Sequence, residues 1–259
     1  MLPVAAGNHE REASQTSGSS RKLRIRFGGG NLRLFRRAHY HYAALLLFAV
    51  VGFWQSYFQI IDKAPATIHF HNFTMMLWLV LLMTQAWLIT AGKLPWHRRL
   101  GKASYVLVPP MVFSGLLVTR QFLQKGDDGL TEREIRSLVL PLYGIVLFAV
   151  GYGLAIFYKK RPALHARWMT AATMPLLSAA FLRIFQHWVP GFESVRAAAH
   201  ASYFVVDLVF LALVVRDWKL GRVVGPFLVF FLIYVQQHVL YEWGGQWTWW
   251  RQIAALMYG

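Results

Sequence analysis

Long apolar stretches recur along this chain from residue 43 almost to its end. Each is about 18 to 24 residues long, the length that an α-helix needs to cross the hydrocarbon core of a bilayer. The chain is also apolar on average, with 56% hydrophobic residues and a mean hydropathy of +0.38. The sequence therefore predicts an all-α, polytopic membrane protein.

Polar breaks divide these stretches into seven predicted transmembrane helices, which we expect to form one bundle within residues 39–243. The predicted helices are 43–61, 68–91, 103–123, 138–158, 167–189, 198–215 and 223–243. The sixth helix carries polar residues near its start, so we expect other helices to surround it.

Basic residues predict the orientation of the bundle. Nineteen of the 27 Lys and Arg residues lie in the N-terminal segment or in loops on its side of the membrane, and seven lie on the opposite side. Since Lys and Arg concentrate in cytoplasmic loops, the N-terminus is predicted inside and the C-terminus outside. The expected location is the bacterial inner (cytoplasmic) membrane.

Two segments flank the predicted bundle. Residues 1–38 are polar and basic, which is typical of a flexible cytoplasmic tail that contacts anionic lipid headgroups. No folded nucleic-acid reader accompanies these charges, so we expect membrane lipids and not nucleic acid as partners. Residues 244–259 are rich in Trp, which favours an interfacial segment at the outer surface.

The chain contains no Cys, which excludes thiolate metal sites, iron–sulfur clusters and covalently attached haem. Any cofactor would therefore be held by histidine, carboxylate or backbone groups. Five of the ten histidines fall near the predicted outer ends of helices, namely His69, His71, His187, His200 and His238.

These outer histidines predict a pocket that binds a metal, haem or quinone-like molecule through imidazole. Helical spacing places Glu242 beside His238, and a metal site would draw on His69, His238 and Glu242. His69 and His71 are two residues apart, so only one can face such a pocket. The alternative is that these histidines simply meet headgroups or neighbouring helices.

One buried ion pair is also predicted in the outer half. Arg183 and Asp207 lie at similar depth, roughly 10 Å below the outer ends of their helices. Because an unpaired charge at this depth is costly, we expect these two residues to pair.

A second histidine pair lies on the predicted inner face. His97 and His165 each precede an arginine at short range, Arg98 and Arg167 respectively. This pattern suits an anionic group such as a haem propionate, a phospholipid phosphate or a quinone oxygen. The alternative is that the arginines only reflect the cytoplasmic bias of basic residues.

Residues 66–190 resemble a broad group of uncharacterised bacterial multi-pass membrane proteins. The resemblance rests on an H-x-H element at His69 and His71, on Gln85, on an H-R-x-L-G element at His97, and on an H-x-R-W-M element at His165. It implies a helical membrane fold. The chain is also loosely similar to b561-type membrane cytochromes, in which paired histidines hold one haem near each face.

The b561 similarity implies an outer pair that joins His69 or His71 to His187, His200 or His238, and an inner pair of His97 with His165. Electron transfer through haem b is therefore the first functional hypothesis. The second is a zinc-dependent membrane hydrolase, since the topology loosely resembles the adiponectin-receptor and alkaline-ceramidase group. The third is a non-catalytic accessory subunit of a larger membrane complex.

Overall fold

The computed structural model describes residues 37–124, 130–222 and 225–259, and every regular element in these ranges is helical. Short 3-10 segments at Phe58–Lys63 and Gly244–Gln246 follow the first and ninth α-helices. The ten α-helices are α1 Ala38–Phe53, α2 Ala66–Thr90, α3 Leu94–Gly101, α4 Ala103–Leu123, α5 Glu132–Ser137, α6 Val139–Phe157, α7 Pro162–Trp188, α8 Val195–Lys219, α9 Gly225–Trp243 and α10 Thr248–Tyr258.

Five helical segments in the described ranges are long and apolar enough to cross a membrane. They overlap the second to sixth predicted spans and comprise Ala66–Thr90, Leu94–Leu123, Glu132–Phe157, Pro162–Trp188 and Val195–Lys219. The first predicted span corresponds to α1, which is apolar but has only 16 residues. The seventh corresponds to α9, whose 19 residues include Gln236, Gln237, His238 and Glu242 near the C-terminal end.

Helix α7 lies at the centre of the bundle and packs against α1, α6, α8 and α9. Its buried positions include the small residues Ala171, Ala172, Ser178 and Ala180. Small side chains let helix backbones approach closely, which is how helices associate in lipid, where apolar burial against a neighbour gains little. The central position of α7 follows from this composition.

Glycines make two of these helix crossings close. A Cβ at Gly52 of α1 would lie 2.6 Å from the Ala180 carbonyl oxygen of α7. A Cβ at Gly151 of α6 would lie 2.8 Å from the Ala172 Cβ of α7 and 2.7 Å from the Phe230 ring. Both crossings therefore require glycine.

Large apolar side chains also cover the outside of the bundle. Val106 and Phe157 are each 77% exposed, and many other apolar residues on α2, α4, α8 and α9 are exposed as well. An apolar surface of this extent is unusual for a soluble monomer, but it is what contact with lipid tails requires. The exposed surface and the five long apolar helices are together consistent with an integral membrane protein.

Helices α5 and α10 cover one end of the bundle, where α4 and α9 also end. The Trp250 indole N–H donates to the Ile135 carbonyl at 3.0 Å, and the Arg251 guanidinium pairs with Glu132 at 2.5 Å. The Arg120 side chain donates to the Gly259 carbonyl at 2.8 Å. These contacts fix the Trp-rich C-terminal segment, whose interfacial position stays a prediction. The predicted basic tail, residues 1–38, lies outside the described residues except for its last two.

Candidate functional site

Helices α8 and α9 pack side by side and bring together most of the polar residues of the predicted outer half. His200, Tyr203 and Asp207 follow one another along one face of α8, at spacings of three and four residues. His238 and Glu242 occupy the facing side of α9, four residues apart. Because both sets repeat at the period of a helix, the two faces meet along their length.

The facing side chains form one continuous hydrogen-bonded chain, which we call the outer relay: Arg196, Glu242, His200, His238 and Asp207. Arg196 donates to both Glu242 oxygens, at 2.9 Å from Nε and 2.6 Å from Nη2. Glu242 Oε1 lies 2.6 Å from His200 Nε2, and His200 Nδ1 lies 2.8 Å from His238 Nδ1. His238 Nε2 lies 3.1 Å from Asp207 Oδ2.

The outer relay runs from the protein surface into the bundle. The Arg196 side chain is 63% exposed, whereas the Asp207 side chain is only 12% exposed. Seven residues separate His200 from Asp207 on α8, which corresponds to about 10 Å along the helix axis. The relay therefore links groups at two different depths.

Simultaneous formation of all hydrogen bonds in the outer relay requires a specific number of protons. The three hydrogen bonds from Glu242 to Asp207 each need one proton, and two neutral imidazoles supply only two. One extra proton must therefore reside on the four groups, whichever tautomers the histidines adopt. Two carboxylates and this extra proton give a net charge of −1, which the Arg196 guanidinium neutralises.

Aromatic rings pack against the two histidines. The Tyr203 and Tyr241 rings pack edge-on against His200, and Tyr203 also packs edge-on against His238 at 5.4 Å between centroids. Tyr203 is fully buried. The rings cover part of each histidine, and the His200 and His238 side chains remain 30% and 28% exposed. At the buried end of the outer relay, Asp207 Oδ1 remains available as an acceptor, because it has no hydrogen-bond partner among the described residues.

The predicted ion pair between Arg183 and Asp207 does not form. Asp207 bonds to His238, and Arg183 donates to the Ser56 hydroxyl at 3.2 Å and to the Ala179 carbonyl at 3.0 Å. The prediction depends only on position along each helix axis. The position of a residue along the helix axis does not determine how the helix is rotated about that axis. In the structure, the rotation of α7 turns Arg183 towards α1 and away from α8.

A different buried ion pair joins α7 to α8. Arg167 Nε lies 2.6 Å from Asp217 Oδ2, Arg167 Nη2 lies 3.1 Å from Oδ1, and both side chains are buried. Arg222 adds a weaker contact with Asp217 at 3.9 Å. Sequence reasoning predicts a role for Arg167 but misses Asp217, which stands alone among basic residues at the end of α8. Its isolation among cations is the signal that could have identified it.

The remaining predicted outer histidines do not join the relay. His69 bonds to the Tyr57 hydroxyl at 2.9 Å, and His71 bonds to the Ser114 hydroxyl at 3.1 Å. The two rings thus have different partners, in line with their divergence on a regular helix. His187 is exposed at the end of α7. The pairing of His69 or His71 with His187, His200 or His238, which the cytochrome similarity implied, stays a prediction.

The predicted metal ligands are likewise separated by their bonding. His238 and Glu242 are joined through His200, while His69 bonds to Tyr57. No group of three or more candidate His, Asp or Glu ligands occurs within the described ranges.

The predicted inner pair, in contrast, is adjacent. The His97 and His165 rings lie 6.5 Å apart between centroids and are nearly perpendicular. His165 Nδ1 donates to the Ala155 carbonyl at 2.8 Å. The Gln85 amide, oriented to satisfy its neighbours, donates to His97 Nδ1 and accepts from the Gly101 N–H at 2.7 Å. Residues of four helices, α2, α3, α6 and α7, thus position these two rings.

Comparison of the chain with models of known protein families, with curated proteins and with solved structures found no match.

Proposed function

We propose that this chain is a seven-span protein of the bacterial inner membrane that transfers protons between its outer surface and the interior of its bundle. The N-terminus lies inside and the C-terminus outside, and the first and seventh spans are α1 and α9. The observation that carries the proposal is the unbroken outer relay, whose links from Glu242 to Asp207 measure 2.6, 2.8 and 3.1 Å.

The proposed transfer needs no large movement of atoms. In the starting state, Glu242 and Asp207 are ionised, and doubly protonated His200 carries the extra proton and donates from Nε2 to Glu242. His200 Nδ1–H donates to His238 Nδ1, and His238 Nε2–H donates to Asp207. The latter two protons then each cross their own hydrogen bond, which leaves His200 neutral and Asp207 protonated. Chains of carboxylates and histidines serve as proton relays in membrane pumps and transporters.

The chemistry favours imidazole at the two central positions. Imidazole can accept a proton on one ring nitrogen while it releases another proton from the second. Arg196 keeps the assembly neutral whichever relay group holds the extra proton, which lowers the cost of the charge inside the bundle.

A pH-jump experiment with infrared detection tests the proposal. Acidification of the outer side should produce a protonated-carboxyl band that is absent from Asp207→Asn. We expect the band to rise at least about tenfold more slowly in His238→Asn, since asparagine cannot pass a proton between two ring nitrogens. The matched control is His187→Asn, an exposed histidine outside the relay, whose rate should be unchanged. An equal rate in His238→Asn, or no Asp207-dependent band, would overturn the proposal.

Haem b electron transfer is the second candidate, and the adjacency of His97 and His165 favours it. These two imidazoles, whose ring centroids lie 6.5 Å apart, would hold the haem iron, which would supply one-electron redox chemistry. The His165 Nδ1–H bond to a backbone carbonyl is typical of a metal-binding histidine. His97 would need the Gln85 amide turned over, so that Nδ1 donates and Nε2 is free.

A visible spectrum tests this second candidate. A Soret band that disappears in both His165→Ala and His97→Ala would support haem at the inner pair, with a quinone as a chemically suitable electron partner. A colourless, iron-free preparation would contradict it and leave the outer relay unaffected. Zinc hydrolysis gains no support from the separated positions of His69 and His238. Stable co-purification of other membrane subunits would favour an accessory role instead.

A further inference from the structure

Arg183 is half-buried, and its partners differ from those of the buried Arg167. Arg167 pairs with Asp217, whereas no acidic side chain within the described ranges pairs with Arg183. It lies five residues before the end of α7, about 7 Å below the predicted outer end of that helix. A guanidinium remains charged at any physiological pH, so a counter-charge from outside the chain would stabilise it.

The close crossing of α1 and α7 positions Arg183. Gly52 permits the α1 backbone to contact Ala180, one turn below Arg183 on α7. This contact places the Phe53 ring under the guanidinium, 4.3 Å from its carbon to the ring centroid. The Ser56 hydroxyl, where α1 ends, accepts from Arg183 Nε at 3.2 Å. The guanidinium is thus held in one orientation by neutral groups.

The hydrogen bonds of Arg183 leave donors for a ligand. Nε and Nη1 are bonded to Ser56 and Ala179, but Nη2 has no hydrogen-bond partner among the described residues. Ser56 accepts from Arg183, so its own O–H can donate to a further acceptor. Two hydrogen-bond donors of different residues are therefore available beside a fixed positive charge. His71 lies close enough to interact electrostatically with Arg183, and an imidazole supplies no negative charge.

We propose that Arg183 and Ser56 form a binding site for an oxyanion, namely the phosphate group of a membrane lipid or free inorganic phosphate. Planar guanidinium groups match the geometry of phosphate oxygens, and a charged hydrogen bond is stronger than a neutral one. The site's depth of about 7 Å is close to the headgroup region. This site is separate from the outer relay and does not depend on the proposed proton transfer.

Thermal unfolding of the purified protein in a nonionic detergent tests the site. The protein is titrated with phosphatidylglycerol, with the corresponding diacylglycerol as a phosphate-free control. In a second arm, sodium phosphate is compared with sodium chloride at equal ionic strength. We expect the melting temperature to rise with phosphatidylglycerol alone if the source is a lipid, and with both probes if free phosphate also binds.

Arg183→Gln should raise the half-saturating probe concentration at least about tenfold. Arg120→Gln is the matched control, because Arg120 is an exposed arginine on the same predicted side and should leave the response unchanged. If Arg183→Gln does not fold, Ser56→Ala provides the test, with a severalfold weaker response expected. The proposal is overturned if neither probe stabilises the wild type, or if the substituted protein responds like the wild type.

Discussion

The Nδ1 atom of His200 on α8 lies 2.8 Å from the Nδ1 atom of His238 on α9. The two rings are nearly parallel, with 14° between their planes and 5.0 Å between centroids. Two ring nitrogens at this distance must share a proton, because two lone pairs or two N–H groups would repel each other. The Nε2 atom of each ring faces a carboxylate. The shared proton is therefore one link of the longer hydrogen-bonded chain that the outer relay forms.

The proposed seven-span topology predicts which positions face each side of the membrane. The chain has no Cys, so single cysteines can be introduced without a background. A membrane-impermeant thiol reagent applied to intact cells should label Asp62→Cys, Glu193→Cys and Gln252→Cys. It should label Arg37→Cys, Lys160→Cys and Lys219→Cys only after permeabilisation. Labelling of Lys219→Cys and Gln252→Cys from the same side would show that α9 does not cross the membrane.

The buried pair of Arg167 with Asp217 should contribute strongly to stability. Removal of one partner leaves the other charge buried, so Arg167→Met or Asp217→Leu alone is expected to cost about 3–5 kcal/mol. The double substitution Arg167→Met with Asp217→Leu should recover much of this loss, because neither buried charge remains. Unfolding by denaturing detergent, followed by helical circular dichroism, measures all three variants. Additive losses in the double variant would contradict the ion-pair interpretation.

Two glycines of α6 provide a matched test of the helix packing. An alanine at position 151 would bring its Cβ to 2.7 Å from the Phe230 ring and 2.8 Å from Ala172. Gly151→Ala should therefore destabilise the protein by about 1–3 kcal/mol. A Cβ added at Gly153 would meet no side chain and no other helix within 4 Å, so Gly153→Ala should be neutral or stabilising by about 0.5 kcal/mol. Equal thermal shifts for the two variants would contradict this packing.

Much of the fold is predictable because transmembrane helices depend on local sequence. Bilayer thickness sets their length, and apolar composition marks them without reference to distant residues. Five predicted spans overlap helices that are long and apolar enough to cross a membrane. The predicted first span begins about five residues late, since α1 begins at Ala38 and ends at Phe53. Polar His39 and His41 in its first turns obscure that start.

The site is predictable only in part. Spacing along one helix places His238 and Glu242 on the same face, because residues three or four apart share a face. Partners on different helices also depend on helix rotation, which no single-chain pattern reports. Depth alone therefore pairs Arg183 with Asp207, although Arg183 contacts Ser56.

The inner half shows the same limit. A family similarity pairs His97 with His165, and their rings are adjacent. The contact of Gln85 with His97 is not predictable from such a similarity. It joins α2 to the short helix α3, which forms just before the next predicted span. Local hydrogen bonds of this kind follow from tertiary structure and leave no periodic signal.

The shared proton between His200 and His238 can be observed directly by nuclear magnetic resonance. In protein labelled with ¹⁵N at histidine, a scalar coupling across an N–H···N hydrogen bond should connect the two Nδ1 nuclei. We predict this coupling in the wild type and its loss in His238→Asn, with His187→Asn unchanged. Separate, uncoupled Nδ1 signals from His200 and His238 in the wild type would contradict the outer relay.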